Sequence, residues 1–374
     1  MKSKLCFISS IVTRKITSAY IKKLSGWKDP LIKMLSRIFD IEICSFDRFL
    51  HSDMEPSKLY FTCTLYMLKW IKKLKQCEII VVQGYPAIIE LFFSVIISKL
   101  TKKLLIVKET HWYWPQTFKS KLFFPIYVHL LRNVDGIFVP GVRSYKWWLK
   151  LGFKPFIVHY YWLEAELMPC KNYYKYAKLK RPYTLLYLGR LIPKRGVDLI
   201  IKAFHNFIKE TNSDSILIIA GGGPFRPNLE KIVEELHLSD KVVFLGPIPE
   251  NEKQCLYQTA DLFIYTPIKT DIPEEWPIPP LEALKVGKPV IVSTIVGSIP
   301  DIIEGLIIVR PGNIEDLKKV ITLCYKNPYL CEKLSKMGQK VALSITVNYV
   351  YKEFLDSVLY LLRKRKTHTR KMNK

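Results

Sequence analysis

Short β-rich runs alternate with helical patterns along almost the whole chain, and nothing else in the sequence restricts the fold so strongly. In the second half the runs are YTLLYLG (183–189), SILIIAG (215–221), KVVFLG (241–246), DLFIYTP (261–267) and PVIVST (289–294). They are almost continuously apolar, as expected of strands buried on both faces of a parallel sheet. Parallel strands need crossover connections, and each gap holds one helix. In the first half KLCFISS (4–10), EICSF (42–46), EIIVVQG (78–84), KLLIVKE (103–109) and GIFVPG (136–141) alternate with helical patterns around 57–75, 86–101, 118–132 and 143–151. A chain of 374 residues suits two such units. The tyrosine-rich stretch 160–184 has no clear period and reads as their connection. The expectation is α/β, with two Rossmann-like, doubly wound domains facing across a cleft. Their bounds are 1–165 and 183–345, followed by a helix at 347–362 and a basic tail at 363–374.

The formal charge of +25 is unevenly placed. Lys and Arg outnumber Asp and Glu by 26 to 11 over residues 1–165, by 25 to 22 over 166–362, and by 7 to none over 363–374. That asymmetry points to an anionic partner for the first half. In KSKLFFPIYVHLLR (119–132) basic stems stand beside Phe, Tyr and Leu, which suits a lipid interface better than a duplex groove. A solvated basic face over an ordinary core helix has the same composition. No stretch reaches the roughly 18–20 apolar residues of a membrane-spanning helix. IIELFFSVIISKL (88–100) is too short, contains Glu90, and reads as a buried helix. MKSKLCFISS lacks a secretory signal's long apolar region and reads as a first strand. The eight cysteines are scattered without a CxxC, so they read as buried free thiols in a reducing cytosol. No HExxH or DxD motif is present, and no metal site is expected.

Ligands of such sheets bind beyond the carboxyl ends of the strands. After the first strand of the second half comes GRLIPKRG (189–196), where Gly189 allows a close turn and Arg190, Lys194 and Arg195 crowd around it. Clustered cations there fit a diphosphate, or equally a charged surface loop. After the next strand comes GGGPF (221–225), which admits a ligand close to the backbone or simply makes a tight turn. After DLFIYTP comes EEWPIPPLEALKVGKP (274–289). Placing Pro280 at the first helical position puts Glu282 at the third, where it could cap the helix, and Gly287 ends that helix. Glu274 and Glu275 fit exposed loop acids equally well.

Taken in order, GRLIPKRG, GGGP, VVFLG, ADLFIYTP and Glu274–x7–Glu282 with LEALKVGKPVI resemble the retaining glycosyltransferases of group 1 (family four). The likeness runs from about Tyr183 to Ile302, and the N-terminal half matches only in layout. The resemblance implies the GT-B fold, a nucleotide-diphosphate sugar donor, a glycan or lipid-linked acceptor, and no metal or other cofactor. It places Glu274 on the transferred sugar, Glu282 on the ribose hydroxyls, and Arg190 with Arg195 on the diphosphate, Lys194 lying one position early. Gly189, Gly222, Gly223, Trp276 and Ile278 fall in the same donor site. His111, in KETHWYW (108–114), resembles the histidine near the donor sugar, and a core or acceptor-site histidine fits its position too. The helix 347–362 is expected to pack back on the N-terminal domain. The chain departs from the pattern at Glu275 and Pro277, where the family has glycines, and at SSIVTR (9–14), where it has a glycine loop. An inactive nucleotide-sugar-binding or scaffold protein and a nucleotide-sugar epimerase share these features. A nucleic-acid-binding protein does not fit the near-neutral second half, so no nucleic-acid partner is expected. The expected location is cytoplasmic, peripheral on an anionic membrane surface.

Overall fold

The computed structural model of the chain describes residues 3–9, 39–45, 76–85, 88–114, 117–158, 167, 169–170, 174–268 and 276–372. Contacts divide the chain into two units, Met1–Leu163 with Val347–Lys374, and Glu164–Thr346.

In the first unit the strands are β1 (Ser3–Ser9), β2 (Phe39–Ser45), β3 (Ile79–Gln83), β4 (Leu104–Lys108), β5 (Gly136–Val139) and β6 (Phe156–Ile157). They form one sheet in the order β2-β1-β3-β4-β5-β6, every pair parallel. Alternate residues face opposite ways, as the pleat requires. Ile80, Val82, Leu105, Val107, Ile137 and Val139 pack under α1 (Ile88–Thr101), α2 (Phe118–Leu131) and α3 (Val142–Lys150). Ile79, Val81, Leu104, Ile106 and Phe138 pack instead against Phe354, Val358 and Leu361, three positions on one face of the chain's last helix.

The second unit contains β7 (Tyr183–Leu188), β8 (Ser215–Ala220), β9 (Val242–Gly246), β10 (Leu262–Tyr265), β11 (Val290–Ser293) and β12 (Leu306–Val309). Their order is β12-β11-β10-β7-β8-β9, again all parallel. The chain therefore steps outward from β7 in one direction, returns, and steps outward from β10 in the other. The point between β7 and β10 is the topological switch, where doubly wound sheets open a crevice for a ligand. The helices here are α4 (Tyr174–Ala177), α5 (Val197–Thr211), α6 (Arg226–Glu235), α7 (Lys253–Thr259), α8 (Pro279–Lys285), α9 (Ile299–Ile302), α10 (Ile314–Lys326) and α11 (Pro328–Ser344).

Several expectations need correction. β6 and β12 were not anticipated; at two and four residues they are too short for a periodic signal. The last helix, α12 (Val347–Met372), does not stop at residue 362 but continues through the basic tail. Lys and Arg are good helix formers, and no Gly or Pro interrupts them. The free-thiol reading fails for three cysteines. Cys170 and Cys255 form a disulfide across 85 residues with a Cα separation of 4.9 Å, and Cys77 is also disulfide-bonded. Cys324 and Cys331 are free and buried, as expected. The helical pattern at 57–75 lies outside the described residues.

Candidate active site

Beside the switch point of the second sheet, the loops after β7 and β8 zip together and the second of them meets the end of β9. Gly189 N donates to Ala220 O (3.0 Å), Leu191 N to Gly222 O (3.0 Å) and Gly221 N to Gly246 O (2.7 Å). The approach is so close that a Cβ on Gly221 would lie 1.8 Å from Gly189 O, and one on Gly223 would lie 2.2 Å from Leu191 O. Those two positions are glycine because another stretch of this chain occupies the space. A Cβ on Gly222 would meet only the Pro247 ring, at 3.2 Å.

The three cations of GRLIPKRG are placed differently. Arg190 is exposed, while Lys194 and Arg195 are half-buried in a 3-10 turn, Pro193–Arg195. Arg195 Nη1 donates to the Tyr265 hydroxyl, and its guanidinium lies 5.2 Å from the centre of that ring. Tyr265 ends β10 and stacks on Tyr187 of β7 with ring centres 6.3 Å apart. Lys194 O accepts from Ile268 N (3.0 Å). The contact of Arg195 with Tyr265, from β10, was not legible in the sequence. Next along, Thr266 keeps a buried hydroxyl with no hydrogen-bond partner among the described residues.

Glu274 lies outside the described residues, as does Glu275. Trp276 and Pro277 are buried and Ile278 is half-buried at the start of α8. That helix begins at Pro279, one residue earlier than expected, and ends where expected: Gly287 has φ +73° and Lys288 N donates to Ala283 O (3.0 Å). Glu282 does not cap it. Its carboxylate turns toward α7, where Tyr257 OH donates to Oε2 (2.7 Å) and Lys253 Nζ to Oε1 (3.1 Å). Lys253 and Tyr257 stand four residues apart, hence on one helix face. Burial pushes the Glu282 carboxyl above its ordinary range, and the charge of Lys253 and the bond from Tyr257 only partly restore it. Lys253 ends up raised: burial pulls it down, and Glu282 together with Glu250 (2.9 Å) more than offsets that. Lys253 faces two carboxylates, Glu250 and Glu282, whereas Glu282 faces one cation among the described residues. A carboxylate has about four acceptor sites, and two of those on Glu282 are used.

His111 belongs to the other unit, just beyond β4. Its ring Nδ1 lies 2.5 Å from Oε1 of Glu109, a side chain with 0% exposure. The same oxygen accepts from Thr110 N (2.8 Å) and His111 N (3.0 Å). The other accepts from Tyr85 N (3.1 Å) and the Tyr127 hydroxyl. Gly84 makes room, because a Cβ there would sit 2.4 Å from Glu109 Oε2. Burial pushes the Glu109 carboxyl up, but the charge of His111 and these hydrogen bonds outweigh it and leave it below its ordinary range. Sequence reasoning missed Glu109, although KETHW places an acid two residues before the histidine. Among the described residues no cluster of His, Cys, Asp and Glu could hold a metal, and no helix is long and apolar enough to cross a membrane.

Residues 172–341, under half of the chain, match the family model described as Glycosyl transferases group 1. The chain is 34% identical over 120 residues to an uncharacterized glycosyltransferase of Methanocaldococcus jannaschii, covering 32% of this chain and 29% of that protein. It is 37% identical over 98 residues to the O-antigen chain mannosyltransferase RfbU of Salmonella typhimurium, covering 25% and 27%. The chain thus spans under a third of either relative's length. HepE from Anabaena, solved in complex with UDP, superposes with a TM-score of 0.71 at 16% identity, covering 96% of this chain and all of that one. Sucrose-phosphate synthase from Thermosynechococcus elongatus gives 0.68 at 15% identity, covering 97% and 100%. The fold is GT-B, built of two Rossmann-like units.

Proposed function

We propose that the protein is a glycosyltransferase that moves a sugar from a nucleotide-diphosphate donor to a glycan or lipid-linked acceptor, with retention of configuration and without a metal. The observation that carries this reading is the switch point of the second sheet. Arg195 is held there on Tyr265, and Glu282 keeps acceptor capacity in a buried pocket of protein donors, within the segment that matches the family. The donor sits in the C-terminal unit. Glu282 accepts the ribose hydroxyls, Glu274 accepts hydroxyls of the transferred sugar, and Arg190 with Arg195 meets the charge that develops on the departing diphosphate. His111 is the further residue that this reading assigns to the transferred sugar. Relatives named as GDP-mannose-dependent, and a structural neighbour solved with UDP-glucose, support a nucleotide-sugar donor.

A thermal-shift panel of UDP-, GDP- and ADP-sugars identifies the donor, since a ligand of the native state raises its stability. With that donor, Arg190→Ala lowers turnover about 100- to 1,000-fold, or about 2.7–4 kcal/mol, and Arg195→Ala by as much or less if Lys194 substitutes. Turnover survives EDTA. Abolition by EDTA with rescue by manganese would move the electrophile from the arginines to a metal. A second reading, a nucleotide-sugar-binding protein without transfer, is favoured by Pro277, which has no amide to offer a phosphate; donor binding with no transfer or hydrolysis would establish it.

The protein also attaches peripherally to anionic membranes on the cytoplasmic face. In support, α1 and α2 lie side by side on one face of the first sheet and expose Ile89, Phe92, Ile96 and Leu100, and Phe118, Leu122, Phe123 and Ile126. Lys99, Lys102, Lys119 and Lys121 flank these residues in sequence. Each basic residue near such a surface contributes about 1 kcal/mol, screened by salt. Flotation with anionic vesicles therefore succeeds at low salt and fades at high salt. Equal flotation with neutral vesicles would assign the attachment to the apolar stripe alone.

A further inference from the structure

Helix α7 is held in place from more than one direction. Its seven residues make about two turns, and a helix that short does not persist in water unless other parts of the chain support it. Lys253 and Tyr257, on one face, donate to Glu282. Cys255 stands two residues from each, about 200° round the helix, and is bonded to Cys170. Just before the helix, the Glu252 carboxylate accepts from Lys175 Nζ (2.6 Å) and from the Tyr176 hydroxyl, both on α4. A covalent bond and two hydrogen bonds thus tie α7 to Cys170 and α4, and all of these residues lie in the second unit. The two sulfurs differ in reach, since Cys255 is buried at 1% exposure and Cys170 is half-buried. The more exposed a disulfide, the more readily it is reduced.

We propose that Cys170–Cys255 is a redox switch on nucleotide binding. Bonded, it holds α7 so that Lys253 and Tyr257 stay against Glu282; opened by a dithiol, it releases α7, and affinity for the nucleotide falls. The proposal rests on the reading of Glu282 as acceptor of the ribose hydroxyls. In the opening step one thiolate of the dithiol attacks Cys170 Sγ, the S–S bond breaks, and Cys255 leaves as a thiolate that takes up a proton. The second thiol of the reductant then attacks the mixed disulfide, closes the reductant into a ring and frees Cys170 as a thiol. Two electrons pass from the dithiol to the cystine, and exchange with an oxidised dithiol restores the bond. What then remains between α4 and α7 is weaker. The two hydrogen bonds on Glu252, a partly exposed side chain, compete with water and hold a two-turn helix less firmly than a covalent bond does. By linkage the effect runs both ways: a nucleotide that binds the bonded form more tightly makes the bond harder to reduce by the same factor.

UDP, GDP and ADP are titrated into the full chain before and after treatment with dithiothreitol. Affinity for whichever of them binds should fall at least about 5-fold on reduction, and unchanged affinity overturns the proposal. Dithiothreitol also opens the disulfide of Cys77, so Cys170→Ser supplies the specific comparison. That variant should bind as weakly as the reduced protein and lose nothing more when dithiothreitol is added. A further loss as large as in the wild type would assign the effect to another bond and overturn the switch. In glutathione buffers, alkylation and mass spectrometry read the reduced fraction of Cys170 and Cys255. Saturating nucleotide should shift that equilibrium toward the disulfide by the same factor as the affinity changes, and unequal factors would break the link between bond and site. Hydrogen exchange separates a local device from a general staple. After reduction the amides of α7 and α4 should exchange faster while those of β8 do not; equal acceleration in β8 overturns the proposal. If none of the three nucleotides binds either form, the ribose reading of Glu282 falls, and the exchange pattern still decides whether the bond holds α7.

Discussion

Glu109 in the N-terminal unit and Glu282 in the C-terminal unit are both closed to solvent, at 0% and 1% exposure, yet their surroundings push them in opposite directions. Glu109 takes five hydrogen bonds, three of them from backbone amides that cannot swing away, and its carboxyl is held below its ordinary range. Among the described residues Glu282 takes two, both from side chains of α7, and its carboxyl is held above that range. Burial disfavours the charge on each; at Glu109 the charge of His111 and then the hydrogen bonds outweigh it, whereas at Glu282 the charge of Lys253 and the bond from Tyr257 do not. A saturated carboxylate has nothing left for a ligand and can only orient its neighbours. A half-satisfied one is an unfinished site.

Removing each carboxylate should break the two units unequally, and this is the largest effect expected. Glu109→Ala strands three amides, a tyrosine hydroxyl and an imidazole in a buried site, and should lower unfolding stability by about 3–5 kcal/mol. Glu282→Ala leaves Lys253 its bond to Glu250 and Tyr257 a carbonyl, Pro279 O, at 3.3 Å. Its loss should be about 1–2 kcal/mol, while nucleotide affinity falls about 10- to 100-fold. Glu274→Ala should lower turnover with less effect on that affinity. Denaturant unfolding and nucleotide titration check all three, and equal stability losses for Glu109→Ala and Glu282→Ala would erase the contrast.

A pH series sharpens the same contrast, because the signs are opposite. The folded pKa of Glu109 lies below its unfolded value, so its stabilisation is present above the unfolded value, about 4.3, and is lost as pH falls through the folded one. Glu282 has a raised folded pKa. Its contribution is fully present below the unfolded value and is lost as pH rises through the folded one. Melting temperatures followed from neutral pH into acid should fall less steeply for Glu109→Gln than for the wild type, and more steeply for Glu282→Gln. Parallel curves for the wild type and both variants would show that neither carboxyl is shifted by folding.

Legibility in the sequence followed the same division between local and long-range causes. The strands of both sheets were readable because each is a continuous apolar run, and β8, buried at all six residues, is the clearest case. Arg195 and Glu282 were readable from ordered motifs at strand ends. Their partners were not. Tyr265 lies 70 residues from Arg195 in the chain and Tyr257 lies 25 from Glu282, so each pairing exists only once the sheet order is known. Likewise Cys170 and Cys255 carry no spacing signal, since only folding places residues so far apart within bonding distance. The glycines of GGGP read as space for a ligand or as a tight turn; two of the three face the carbonyls of Gly189 and Leu191, a contact between loops that no single stretch records.

The smallest expected effect concerns Tyr257. Its hydroxyl is buried, and burial with the charge of Glu282 raises its pKa well above the ordinary tyrosine range, so it remains a donor at any working pH. Tyr257→Phe removes that donor and little else, because the ring still packs edge-on against Phe263 at 5.4 Å. Glu282 is then left with Lys253 as its single described partner, and its carboxyl should rise further. If the carboxylate is the group that accepts ribose hydroxyls, affinity should weaken about 3- to 10-fold, the worth of one neutral hydrogen bond at about 0.5–1.5 kcal/mol. The loss should grow as pH falls toward the carboxylate range, because the variant protonates first. Titrating nucleotide at several pH values measures both the size and the trend. Tighter binding in the variant would mean that Tyr257 competes with the ligand for the same oxygen, and Glu282 would then be a closed structural pair like Glu109 rather than an open acceptor.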